Sequence, residues 1–131
     1  MNKKHILLVD DEVSVTRTMK INLERTGNYV VRTENHAKQA VAAAHEFKPD
    51  LIFLDVMMPE MDGGDVAVVM RHDPLLKQVP IIFLTAIVSK QETGDEGKQI
   101  GGEKFIAKPL NMEALIQCIE ENTAPERAPG R

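Results

Sequence analysis

Asp10 and Asp11 close the apolar run Ile6-Leu7-Leu8-Val9, and Asp55 closes the run Leu51-Ile52-Phe53-Leu54. Far along the chain Lys108 closes Phe105-Ile106-Ala107 and is followed at once by Pro109. Charged side chains at the ends of apolar runs, and none inside them, suit chemistry carried out along one edge of a sheet. Acids gathered there need compensation: two carboxylates about 4.5 Å apart repel by roughly 3.5 kcal/mol at an effective dielectric of about 20. They must share a proton, pair with a cation or hold a metal. These residue types therefore point to a metal-assisted carboxylate site with one lysine beside it.

The elements that must position these groups can be read from periodicity. Short, nearly continuous apolar runs occur at Ile6 to Val9, Tyr29 to Val31, Leu51 to Leu54, Ile81 to Leu84 and Phe105 to Ala107. Such runs suit strands buried on both faces, as in a parallel sheet covered by helices. Between them the spacing is helical: Val15, Met19 and Leu23; Ala40, Ala44 and Phe47; Val66, Val69 and Met70; and Met112, Leu115, Ile116 and Ile119. Strand and helix alternate five times, which predicts an α/β doubly wound, five-stranded parallel sheet with five helices. The Tyr29 run is short and gives way to Arg32, so it belongs at an edge. The fourth helix should be short or frayed, because Ser89 to Gly102 contains Gly94, Gly97, Gly101 and Gly102 and each helical glycine costs about 1 kcal/mol relative to alanine.

Bulk composition narrows the classes. The 131 residues, 43% hydrophobic and 27% charged, suit one domain with a real core. Residues 1–122 form that domain, and residues 123–131, without apolar periodicity, read as a flexible tail or linker stub. A net charge of −4 argues against direct nucleic-acid binding. The apolar stretch after Lys3-Lys4-His5 is too short for export or membrane insertion, so the expected location is cytoplasmic. The lone Cys118 reads as a small, partly buried helix residue. His5, His36, His45 and His72 show no metal-ligand spacing and read as surface residues; Met57, Met58 and Met61 read as loop packing, and Asp62-Gly63 as a turn.

Ligands of open α/β sheets bind outside the carboxyl ends of the strands, where the strand order reverses. With the flavodoxin-like order 2-1-3-4-5 the reversal lies between the strands ending in Asp10-Asp11 and Asp55. From Lys4 to about Glu121 the chain resembles the receiver domains of bacterial two-component response regulators. The resemblance rests on Leu7-Leu8-Val9-Asp10-Asp11-Glu12, on Leu54-Asp55-Val56-Met57-Met58-Pro59-Glu60-Met61-Asp62-Gly63, on Thr85-Ala86 after the fourth run, and on Lys108-Pro109 after the fifth. Each is weak alone; all four in order form a specific pattern. The resemblance implies phosphorelay signalling rather than turnover of a substrate. Asp55 would be the phosphoacceptor, receiving a phosphoryl group from a sensor histidine kinase or phosphotransfer protein. Mg²⁺ would be held by Asp11, Asp55 and the Met57 backbone carbonyl, with Asp10 acting through water. Lys108 would pair with one phosphoryl oxygen and the Thr85 hydroxyl with another.

The same resemblance implies a switch in which Thr85 moves toward the phosphoryl group and Phe105 fills the vacated space. That would alter the face made by the fourth helix, fifth strand and fifth helix, which signals by contact with a downstream protein and leaves room for a phosphorylation-dependent dimer. Met57 and Ile87, two residues past Asp55 and Thr85, are apolar where fast self-hydrolysing receivers often carry polar or acidic groups, so a long-lived phosphoprotein is expected. Two other classes fit less well. A flavodoxin would need a Ser/Thr/Gly phosphate loop where Asp10-Asp11-Glu12 stands, and aromatics to sandwich FMN, yet the chain has no Trp and one Tyr. A metal-dependent phosphatase with an aspartyl nucleophile would carry an Asp-x-Asp pair on the first strand and room for a cap. The cognate kinase and the output pathway are not readable from these residues.

Overall fold

A computed structural model describes residues 3–85, 98–100, 103–108 and 110–123. The strands are β1 (Lys4–Val9), β2 (Tyr29–Glu34), β3 (Leu51–Asp55), β4 (Ile81–Thr85), β5 (Lys98–Ile100) and β6 (Glu103–Ala107). The helices are α1 (Val13–Arg25), α2 (Ala40–Phe47, preceded by a 3₁₀ turn at Ala37–Gln39), α3 (Gly63–Arg71) and α4 (Met112–Asn122). One sheet runs in the order β2-β1-β3-β4-β6-β5. Its five long strands are parallel, and β5 alone pairs antiparallel, with β6. Without β5 this is the expected order 2-1-3-4-5, with β2 at one edge.

Why the runs are continuous is plain from the packing. Alternate residues of each strand enter opposite cores. Leu7, Val9, Ile52, Leu54, Ile81 and Phe83 pack with Ala40, Ala44, Val66 and Met70 of α2 and α3. Ile6, Leu8, Leu51, Phe53, Ile82, Leu84 and Ile106 pack with Met19, Leu23, Leu115 and Ile119 of α1 and α4. Every residue of β3 and β4 is buried, so no position on them can be polar until the strand ends. Each large aliphatic or aromatic side chain so buried stabilises the fold by about 1.5–3 kcal/mol.

Three expectations need correction or bounding. Val69 is not a core residue: it is 44% exposed, and α3 instead buries Val66, Ala67 and Met70. The weak fourth helix was expected over Ser89 to Gly102, but residues 98–100 of that span are a strand, as suits a segment whose glycines disfavour helix. The rest of that span, Ile87, Pro109 and the tail beyond Thr123 lie outside the described residues. Among the described residues no helix is long and apolar enough to cross a membrane.

The amino end of the sheet carries a polar cluster that sequence reading missed. Lys4 Nζ and the Tyr29 hydroxyl both reach Glu120, at 2.9 and 2.7 Å, tying the starts of β1 and β2 to α4. Burial and the Glu120 carboxylate hold the Tyr29 hydroxyl well above its ordinary pKa. This end lies opposite the strand termini that carry the acids, so it braces the fold and leaves the chemistry to the other edge.

Candidate functional site

Strand register brings the acids together. Val9 is the Cα partner of Leu54, so Asp10 and Asp55, the next residue on each chain, leave β1 and β3 side by side. Thr85 pairs with Ala107 across β4 and β6, and the Lys108 N–H donates to the Thr85 carbonyl at 2.9 Å. Lys108 is thereby delivered to the same edge. Its Nζ lies 2.9 Å from Asp10 Oδ2, 3.5 Å from Asp55 Oδ1 and 3.6 Å from Glu12 Oε1. Asp10 is fully buried, Asp55 is 5% exposed and Thr85 1% exposed, while Asp11 stands in solvent.

The backbone around Asp10 is fixed from two sides. Its Oδ1 accepts the Glu12 N–H at 2.9 Å, and Asn35 Nδ2 donates to the Asp10 carbonyl at 2.8 Å and to the Thr16 hydroxyl at 3.0 Å. Asp10 Oδ2 is close enough to Lys108 for an ion pair, yet among the described residues that buried oxygen has no well-formed hydrogen bond. It is compensated in charge and left short in hydrogen bonding. Asp10, Asp11 and Asp55 each place a carboxylate oxygen within 4.8 Å of the other two. An all-oxygen acidic set of this kind, with one buried oxygen lacking a well-formed hydrogen bond, fits a divalent cation of the Mg²⁺ type.

The electrostatics single out Asp55. Burial, then the charge of Asp10, push its carboxyl up to about 6, against the pull of Lys108 and of the Met57 N–H. Burial alone would depress the Lys108 ammonium, but Asp10, Asp55 and Glu12 together outweigh it and hold the lysine charged. Among the described residues the pocket therefore sets more carboxylates than lysines against one another, the condition a metal ion relieves.

The loop after Asp55 is set by a close approach that the sequence reading took for a turn. Asp62 is the N-cap of α3, its Oδ1 accepting the Asp65 N–H at 2.9 Å, and Gly63 is the first helical residue. A Cβ on Gly63 would stand 2.3 Å from the Asp55 carbonyl oxygen, so only glycine lets α3 begin against the end of β3. Gly63→Ala is expected to destabilise the fold by about 1–3 kcal/mol. Gly64→Ala, whose Cβ would meet only Asp62 Oδ1 at 3.3 Å, should be neutral or stabilise by up to about 1 kcal/mol, because alanine is the better helix former. Urea unfolding of the pair decides it; equal effects would contradict the close-approach account.

Other flagged residues divide. Met58 is buried and Met61 packs on the core, as expected of loop packing, but Met57 is 62% exposed. Phe105 is half-buried against the Phe83 ring, centroids 5.4 Å apart. Cys118 is 5% exposed, and burial pushes its thiol up to about 11. His5 stacks on Phe47 at 4.8 Å, and His45 meets Asp73 at 2.6 Å; among the described residues the sole acid-and-histidine cluster suited to a metal is the aspartate trio. Sequence reading missed Asn35 and Gly63 as positioning groups. The Gly following a capping Asp was a usable signal for Gly63, whereas nothing local marks Asn35.

Residues 6–120 match the family model for the response regulator receiver domain. The chain belongs to that family. As a receiver domain it is 42% identical, over 91% of its length, to the alkaline phosphatase synthesis transcriptional regulatory protein PhoP of Bacillus subtilis, of which it covers 49%. It is 32% identical to the polar-differentiation response regulator DivK of Brucella anthropi, covering 89% of this chain and 94% of that one. Among solved structures, chemotaxis protein CheY4 of Vibrio cholerae superposes with a TM-score of 0.77 at 30% identity, over 92% of this receiver and 99% of that chain. The chain spans about half the length of several of its curated relatives. Membership places it in two-component signalling, whose receivers interact with histidine kinases or phosphotransfer proteins.

Proposed function

We propose that Asp55 accepts a phosphoryl group from a phosphohistidine on a sensor kinase or phosphotransfer protein. The observation that carries the reading is the convergence of Lys108, Asp10 and Asp11 on one buried carboxylate at the reversal of strand order. A carboxylate oxygen of Asp55 attacks phosphorus as the N–P bond of the donor breaks. The imidazole leaves with the bonding electron pair, and an aspartyl phosphate remains. Burial keeps the Asp55 carboxylate more basic than an exposed one, which strengthens it as a nucleophile, while at pH 7 it stays mostly ionised. Asp11, Asp55 and the Met57 carbonyl would hold Mg²⁺, with Asp10 behind an intervening water; when bound, the ion neutralises charge on the phosphoryl oxygens. Lys108 shifts from Asp10 and Asp55 onto a phosphoryl oxygen as a compact point charge. Thr85 binds a second oxygen, and Phe105 then moves inward, altering the surface read by a protein target. Catalysis is confined to the chain's own phosphorylation and dephosphorylation.

The test is transfer from a phosphorylated histidine kinase in Mg²⁺. Label should pass to the wild type and fail to pass to Asp55→Asn; transfer to both at equal yield would overturn the assignment.

Duration of the signal is a second expected outcome. Met57 is exposed at the rim two residues beyond Asp55, and its side chain, like that of Ile87, can neither donate to nor orient an attacking water. Positioning that water is a large part of catalysed hydrolysis. Met57→Asn with Ile87→Glu should therefore shorten the lifetime of the phosphorylated form by about tenfold, read as the decay of label in Mg²⁺. An unchanged or slower decay would contradict this reading of Met57 and Ile87.

A further inference from the structure

We propose that Glu12 selects among phosphoryl donors by holding a negative charge at the rim of the pocket, against Lys108. The inference rests on Asp55 as the phosphoacceptor. Glu12 is the N-cap of α1, and its own carbonyl accepts the N–H groups of Val15 and Thr16 at 3.1 and 3.2 Å. Helix caps favour Ser, Thr, Asp and Asn, whose short side chains reach back to the first turn. Glu12 makes no such bond, and its N–H is already taken by Asp10 Oδ1. A poor capping residue thus holds the cap position, with its carboxylate free to extend. It extends to within 3.6 Å of Lys108 Nζ. The helix dipole favours an acid in this turn but does not require that approach.

Of the carboxylates facing Lys108, Asp10 and Asp55 are buried and Glu12, at 59% exposure, is the outermost. With Asp11, which also stands in solvent, Glu12 forms the outer rim that an arriving donor meets. Its phosphoryl oxygens must take Lys108 from the three acids, and they are repelled by the nearest of them. Coulomb energy scales with the charge of the donor, so a dianionic acyl phosphate suffers about twice the penalty of a monoanionic phosphoramidate. With acetyl phosphate, the Asp55 oxygen–phosphorus bond forms as the bridging O–P bond breaks, and acetate leaves with the electron pair. With phosphoramidate the N–P bond breaks and its protonated nitrogen leaves as ammonia. Glu12 therefore tilts the site toward donors of lower net negative charge, those protonated on the leaving nitrogen, and away from free acyl phosphates.

Labelling rates of the whole chain decide this, measured with each donor at Mg²⁺ levels shown by calorimetry to saturate each variant. Glu12→Gln should quicken labelling by acetyl phosphate about 3–10-fold and by phosphoramidate by roughly the square root of that factor. Both gains should shrink in about 0.5 M salt. Affinity for the beryllofluoride anion, which involves no transfer, should rise several-fold in the same variant, and Glu12→Ala should repeat the pattern. A wild type that labels on Asp55, with a donor ratio and beryllofluoride affinity unmoved in both variants, overturns the role of Glu12 alone. A wild type labelled by neither donor overturns that role and the phosphoacceptor reading together.

Discussion

Replacing Lys108 by Met is expected to slow phosphoryl transfer to Asp55 by at least about 100-fold, the usual cost of losing one fixed charge partner at a developing anion. The same change should destabilise the metal-free protein above pH 6. Lys108 Nζ is 18% exposed in its side chain and faces Asp10 at 2.9 Å and Asp55 at 3.5 Å. Removing it leaves buried acids with no cation, a loss of about 1–3 kcal/mol after allowance for its partial exposure. Two treatments should recover much of that stability: adding Mg²⁺, and lowering the pH so that Asp55 takes up a proton. Urea unfolding at pH 7.5 and 5, with and without Mg²⁺, checks the stability arm. A variant as stable as wild type at pH 7.5 in chelator would contradict the charge account.

Asp55→Asn should move stability in the opposite direction. In the fold Asp55 titrates near 6 rather than its ordinary 3.8, so folding favours its protonated form. The stabilisation this gives is fully present below about pH 3.8 and is lost as pH rises through 6. At neutral pH the native state carries the whole penalty of a buried, crowded carboxylate. Asparagine removes that charge, so the metal-free variant should gain about 1–3 kcal/mol above pH 6, on the order of 5 °C in melting temperature. The gain should fade toward pH 4 and narrow when Mg²⁺ stabilises the wild type. Melting in chelator at pH 7.5 and 4.5 provides the comparison; a less stable variant at pH 7.5 would show that Asp55 is favourably ionised and the sign wrong.

How much was legible follows from what each feature depends on. The parallel strands could be read because residues such as Leu51 to Leu54 are buried on both faces, which forces a continuous apolar run. The acids and the lysine could be read because polarity returns at the strand ends, and register then makes sequence endings into spatial neighbours. Val69 was misplaced because a large apolar side chain at i+3 was preferred to the small Ala67; α3 turns Val66, Ala67 and Met70 inward and leaves Val68 and Val69 exposed. The antiparallel strand at 98–100 pairs locally, Ile100 opposite Glu103, and escaped notice because the glycines around it were weighed only as weakening a helix. Gly63, Asn35 and Glu12 act through contacts made only after folding: a carbonyl 2.3 Å from a hypothetical Cβ, a side-chain bridge across 25 residues, and an ion pair to a distant lysine.

The central claim, that Asp55 is the residue phosphorylated, is tested most directly by incubating the chain with acetyl phosphate and Mg²⁺ and mapping the modification by mass spectrometry of intact protein and peptides. The account predicts one phosphoryl group per chain, located on Asp55, labile to hydroxylamine as an acyl phosphate must be, and absent when Mg²⁺ is chelated or Asp55 is replaced by Asn. Stoichiometric phosphorylation of Asp55→Asn, or a stable phosphate on a serine or threonine of the wild type in place of the acyl phosphate, would contradict it.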